Sequence, residues 1–259
     1  MSGAAPTGAA PGLSTRLRVI WRLTRFALLL ARGAGTILFV YPFANIPTRR
    51  RLKQRWSQDL LGIFRIRLEA NGMQLAPGSM VVANHVSWLD IYAINALHPV
   101  AFVSKAEVRD WPLIGWLARH TETIFLRRGS RGHARIINDE IAAALGAGGN
   151  IAVFPEGTTT DGTHLLHFHA ALLQPAIASG HPLQPVAIDY RDPTGAERSQ
   201  VAEYAGETTM LQSLLRVSAA DGLLVRIWVG PSITDGAGHR RELAAAARKI
   251  IGERLGLGE

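Results

Sequence analysis

The stretch Asn84-His85-Val86-Ser87-Trp88-Leu89-Asp90 stands directly behind the apolar run Met80–Ala83. A histidine at the end of a buried strand, with an aspartate shortly after it, is the part of this sequence best suited to proton chemistry. In one unbroken helix a spacing of five would turn Asp90 about 140° away from His85. The two meet only if His85 lies on the turn and Asp90 in the first helical turn, the arrangement expected if Ser87 caps the helix. A carboxylate accepting from one imidazole nitrogen fixes the tautomer and leaves the other nitrogen free to remove a proton. The sequence has no cysteine and no G-x-S-x-G elbow, so this base has no obvious protein nucleophile to activate. The nucleophile is then expected to belong to the substrate, most simply as a hydroxyl. Two rival readings are a half-buried structural histidine beside an ordinary helix N-terminal carboxylate, and a hydrolase that uses Ser87.

Other polar residues follow apolar runs in the same way. Asn84 precedes His85, Lys105 follows VAFVS, Arg127 and Arg128 follow TIFL, and Pro155-Glu156-Gly157 follows IAVF. In open α/β sheets, ligands bind beyond the carboxyl ends of the strands, so parallel strands would bring all these groups to one edge. Lys105, Arg127 and Arg128 would offer donors to a phosphate, with solvated surface charge as the alternative. In FPEGTTTDG, Pro155 and Gly157 form a rigid turn that aims Glu156, and its backbone N–H groups with Thr158 would hold a polar headgroup. His164, His167 and His169 cluster, but no H-E-x-x-H accompanies them and their surroundings are apolar, so no metal is expected. Trp88, Trp111 and Trp116 lie near these motifs and read as core or as interfacial anchors.

The elements that would position these groups follow from short apolar runs alternating with helical stretches. Strands are expected at 80–83, 100–104, 123–126, 151–154, 183–188 and 223–229. Helices are expected from Ser87 to about Leu97, and over 112–119, 134–145, 170–179, 209–217 and 240–255. This alternation predicts an α/β domain over 66–259, a single domain with a largely parallel mixed sheet flanked by helices. Residues 1–12, rich in small residues and proline, read as a disordered tail. Residues 13–65 read as a membrane-associated helical segment. Its apolar stretch from Val19 to Ala44 is interrupted by Arg22, Arg25 and Arg32, and both flanks are basic. That pattern favours a helix lying in the cytoplasmic interface with its arginines reaching headgroups, over a spanning helix, a soluble core helix or a signal peptide.

Composition sets the outer bounds. The chain has 259 residues, 47% of them hydrophobic and 19% charged, with a formal net charge of +8. The length suits one sizeable core. Without cysteine, disulfides and thiolate metal sites are excluded. The positive charge implies an anionic partner. Its concentration around the apolar N-terminal segment points to lipid, and no nucleic-acid reader motif accompanies it.

NHVSWLD resembles the N-H-x4-D block of the glycerolipid acyltransferases, the family of 1-acylglycerol-3-phosphate and lysophospholipid acyltransferases. TIFLRR resembles their second block, which ends in an arginine, here Arg128. FPEGTTT resembles the third, F-P-E-G-T, and LQPVAI the fourth, with Pro185; the similarity covers roughly residues 70–190. The resemblance implies transfer of a fatty acyl group from acyl-CoA or acyl carrier protein to the free hydroxyl of a lysolipid in phospholipid biosynthesis, with no cofactor. His85 would be the base and Asp90 its orienter. Arg128 and the turn Glu156-Gly157-Thr158 would hold the acceptor's polar end. Three positions depart from the pattern. Thr159 stands where an arginine usually follows F-P-E-G-T, Glu122 and Arg127 stand where the second block often has glycine and an acidic residue, and His169 replaces a common lysine. The acceptor expected first is 1-acylglycerol-3-phosphate, with a larger lysophospholipid or lyso-ornithine lipid as the alternative. A basic peripheral lipid-binding protein is the non-enzyme alternative.

Overall fold

The computed structural model describes residues 12–126, 131–234 and 239–258. The tail expected over 1–12 therefore lies, but for Gly12, outside the described residues, and so do Arg127 and Arg128.

A long helix, α1 (Leu13–Phe39), is followed by a short 3-10 turn and α2 (Ile46–Ile63). Then come β1 (Ile66–Gly72), β2 (Met80–Ala83), α3 (Leu89–Leu97), β3 (Ala101–Lys105), α4 (Ile114–Arg119), β4 (Ile124–Leu126), α5 (Arg131–Gly146) and β5 (Ile151–Val153). The chain closes with α6 (Gln174–Ala178), β6 (Leu183–Arg191), α7 (Met210–Ala219), β7 (Leu223–Val229) and α8 (Arg240–Leu255). The seven strands form one sheet in the order β1-β7-β6-β2-β5-β3-β4. β6, β2, β5, β3 and β4 run parallel to one another, while β7 is antiparallel to β6 and parallel to β1. The mixed, largely parallel sheet matches the expectation, and so does the convergence of the ends of β2, β3, β4 and β5 on one edge.

β1 is a strand that the pattern did not suggest. Its sequence, Ile-Arg-Leu-Glu-Ala-Asn-Gly, buries only Ile66 fully, because it is an edge strand with one neighbour, β7. β2, at the centre, is buried on both faces and reads as a continuous apolar run. Val81 and Ala83 face a layer that includes Leu60, Leu61, Leu89, Ile94 and Val217, from α2, α3 and α7. Met80 and Val82 face Ile137, Ile141, Leu145, Ala244, Ala247 and Ile251, from α5 and α8. Pro185, inside β6, is tolerated because its carbonyl points past the end of β7, accepting from Gly230 N–H at 2.8 Å. The N–H it lacks would face the same side, where the ladder with β7 has already ended.

The N-terminal helices are joined to this body by polar ties. Arg22, only 3% exposed, donates from Nη1 to the carbonyls of Val217, Ser218 and Ala220 at 3.4, 3.0 and 2.6 Å. Arg18 pairs with Asp221 and Arg32 with Asp59. The expected reach of the arginines to lipid headgroups is thus corrected for Arg22. The last turn of a helix leaves carbonyls without intrahelical partners, and those of α7 bind its guanidinium. On α1, Gly33 lets α2 approach closely: a Cβ there would lie 2.8 Å from the Trp56 indole nitrogen, which donates to the Leu29 carbonyl. The outer side of α1 and the turn after it leaves Leu17, Ile20, Trp21, Leu28, Leu38, Phe39 and Phe43 exposed. Leu13–Phe43 is long and apolar enough to cross a membrane by length and composition.

Candidate active site

β2 delivers Asn84 and His85 to the carboxyl edge of the sheet. Asn84 was expected among the substrate contacts; the structure buries it. Its Nδ2 donates to the Ile188 carbonyl at 2.9 Å and its Oδ1 accepts from Ile188 N–H at 2.8 Å. The side-chain amide imitates a peptide group and clasps β2 to β6 where the chain leaves the sheet.

The turn that follows brings Asp90 back to His85, though not by the expected cap. The Ser87 hydroxyl is buried and has no hydrogen-bond partner among the described residues. Asp90 instead closes the turn ahead of the helix: its Oδ2 accepts from the Val86 and Ser87 N–H groups at 2.8 and 3.0 Å. The same oxygen lies 2.8 Å from His85 Nδ1, and Oδ1 accepts from the Tyr190 hydroxyl at 2.7 Å. Four polar groups thus converge on this carboxyl group, three on Oδ2 and one on Oδ1. Asp90 is wholly buried, while the His85 side chain keeps 18% exposure. Complete burial also removes Ser87 as a nucleophile.

The imidazole is held on its face as well as its edge. It stacks on Phe154 with ring centroids 3.9 Å apart and planes 10° from parallel, and Phe154 stacks in turn on Phe102. With Asp90 on Nδ1, Nε2 is the nitrogen left for chemistry.

The F-P-E-G-T turn supports this unit from behind. Glu156 is 3% exposed; its Oε1 accepts from His85 N–H at 2.8 Å and its Oε2 from Leu166 N–H at 2.9 Å. Burial pushes its carboxyl up, opposed by those two N–H donors and by the nearby His85. Gly157, at φ +71°, closes the turn by donating to the Phe154 carbonyl at 3.1 Å. The Thr160 N–H donates to the His85 carbonyl at 2.9 Å, and the Tyr204 N–H to that of Val86 at 3.0 Å. Thr159, where an arginine was expected, donates its hydroxyl to the Tyr204 carbonyl.

The structure therefore joins Asn84, His85, Asp90 and Glu156 through the end of β2. Thr158 lies exposed on the turn, and Lys105 is exposed at the end of β3, two strands from β2. The histidine cluster is divided: His164 pairs with Asp161 at 3.2 Å, while His167 and His169 flank buried Phe168. Glu122 has φ +64°, a backbone region where glycine is at ease, and its carboxylate meets Arg50 and Lys53 at 2.9 and 3.0 Å. Tyr190 and Phe154, which contact Asp90 and His85, were not among the expected site residues. Tyr190 lies beyond the expected end of its strand, and Phe154 carries no polar atom to mark it.

The site thus presents a partly exposed imidazole oriented by Asp90, at the carboxyl edge of a largely parallel sheet, with no hydroxyl of the protein bonded to it among the described residues. Residues 65–189 match the Acyltransferase family. The chain is 39% identical to a lyso-ornithine lipid O-acyltransferase of Pseudomonas aeruginosa, over 91% of this chain and 93% of that one. It is also 39% identical to a 1-acyl-sn-glycerol-3-phosphate acyltransferase of Neisseria meningitidis, over 58% of each chain. The crystal structure of the 1-acyl-sn-glycerophosphate acyltransferase of Thermotoga maritima shares the fold, with a TM-score of 0.71 at 20% identity, covering 94% of this chain and 95% of that one. The chain belongs to the acyltransferase family and is an enzyme of lipid metabolism.

Proposed function

We propose that the enzyme moves a fatty acyl group from a thioester, on coenzyme A or acyl carrier protein, to the free hydroxyl of a lysolipid, and that lyso-ornithine lipid is the acceptor. The observation that carries the reaction is the His85–Asp90 pair with Nε2 open. Nε2 takes the hydroxyl proton as the acceptor oxygen attacks the thioester carbonyl. An ester C–O bond forms, the C–S bond breaks, and the imidazolium returns its proton to the leaving thiolate. No metal or organic cofactor is needed to balance this step.

Asn84 and Glu156 act by positioning the end of β2. Gly157, Thr158, Lys105, Arg127 and Arg128 hold the acceptor's polar end. Lyso-ornithine lipid is favoured by the relative matched over nearly its whole length. Thr159 supports it too, since it removes a cation suited to phosphate and an ornithine headgroup carries none. A second reading, 1-acylglycerol-3-phosphate, is favoured by the Neisseria relative. The exposed apolar side of α1, bordered by exposed Arg25, Arg51 and Arg55, supports an enzyme seated on the cytoplasmic face of a membrane.

A panel of lysolipids offered with labelled acyl-CoA and acyl carrier protein tests acceptor and donor together. Acyl-ornithine lipid is the expected product, and phosphatidic acid alone would reverse the order of the two readings. His85→Ala is expected to lower transfer by about 10²–10⁴-fold while membrane association persists; a fully active variant would remove the base.

A further inference from the structure

Tyr190 stands at the carboxyl end of β6, 2% exposed, and its hydroxyl donates to Asp90 Oδ1 at 2.7 Å. None of the sequence blocks includes it. Resting on the reading of His85 as base, we infer that Tyr190 is a positioning residue of the reaction, the outer member of a chain Tyr190–Asp90–His85 that fixes how strongly and in which direction Asp90 holds the imidazole.

The geometry separates two tasks of one carboxylate. Oδ2 carries the local work, receiving two turn N–H groups and His85 Nδ1. Oδ1 is tied to another element, β6, which Asn84 also clasps through Ile188 N–H and C=O, two residues before Tyr190. The carboxylate plane is thus anchored at both ends, so the direction of its bond to Nδ1 follows the sheet rather than helix α3 alone. Burial, the negative charge of Asp90 and the hydrogen bond to it all hold the phenol well above its usual range, so it remains a donor at every pH at which the enzyme would work. Of the other ionisable groups, Glu156 comes from the turn after β5, and Asp161, Asp189 and Arg198 line the small cavity beside Val86 and Tyr190. Phe154 and Phe102, on the remaining side, are uncharged.

Tyr190→Phe removes the donor and keeps the ring in its packing. A carboxylate relieved of one donor pulls harder on those that remain, so the imidazolium beside it is better stabilised. The acid limb of the kcat/KM profile is expected to move to higher pH by about half a unit, and kcat to fall about tenfold with KM for the lysolipid unchanged. The second readout does not depend on activity. In NMR spectra of the full-length chain, the His85 Nδ1–H resonance, assigned by its loss in His85→Ala, should move further downfield in Tyr190→Phe. In an Asp90→Asn background the tyrosine substitution should change neither kcat nor the limb, because it acts through Asp90. An unshifted resonance, or a fall in kcat with an unmoved acid limb, overturns the inference. Absence of acyl transfer by the unaltered chain would instead remove the proposed function and leave the NMR result to decide the role of Tyr190.

Discussion

His85 illustrates how little of a catalytic side chain's surroundings is its own choice. Its edge is set by Asp90, its face by Phe154, its backbone N–H by Glu156 and its carbonyl by Thr160. Glu156 is the most informative of these supports, because both of its oxygens accept from backbone N–H groups. Glu156→Gln would turn one acceptor into a donor facing an N–H group, leaving a buried polar pair unsatisfied at a cost of about 1–3 kcal/mol. The expected outcome is a lower unfolding midpoint in urea together with a loss of kcat, since the N–H left without its acceptor is that of His85 or of Leu166. A variant with unchanged stability and lowered lysolipid affinity would return Glu156 to the role of headgroup contact.

At the scale of elements, the tie between α1 and α7 shows a charge that reads as a lipid contact serving the fold. Arg22 reaches from the long N-terminal helix to the last carbonyls of α7, where a cation is favoured by the unpaired C=O groups and the helix dipole. Arg22→Met keeps much of the aliphatic volume and removes those bonds, and the expected loss is about 2 kcal/mol of unfolding free energy with vesicle binding unaltered. Hydrogen exchange should show earlier opening of the amides of α7. Loss of vesicle binding without loss of stability would restore the headgroup role. α2 is fixed in a comparable way at the opposite edge of the sheet. The Lys53 ammonium donates to the Val100 carbonyl at 2.9 Å and to Glu122 at 3.0 Å, offsetting the left-handed backbone that Glu122 adopts. There burial would raise the Glu122 carboxyl, and Lys53 and Arg50 outweigh it, leaving the group below its ordinary range.

The whole molecule carries +8 of formal charge and one long helix with an apolar outer side. Burying that side in a bilayer surface is a hydrophobic term insensitive to salt, whereas attraction of exposed arginines to anionic lipid is screened within about 8–10 Å at 0.1–0.15 M salt. Co-sedimentation with vesicles of anionic lipid should therefore weaken as salt rises but persist at high salt, and substituting Phe39 and Phe43 by serine should remove the persistent part. Complete release by salt alone would show the apolar side to be covered by protein instead.

The sequence by itself determined the alternation of elements, the buried strand that ends in Asn84-His85 and the edge at which the polar groups gather, because short apolar runs and strand-end residues are local features. It also carried the pairing of His85 with Asp90, since that contact lies within one turn. Only the tertiary structure decided which of the gathered groups face one another. Asn84 turns inward to Ile188, Glu156 binds backbone rather than solvent, Arg22 caps a helix almost two hundred residues away, and Tyr190 completes Asp90. Those outcomes depend on strand order and on burial, which deny an unpaired polar atom any partner but the nearest one across the fold. Sequence spacing does not encode that distance.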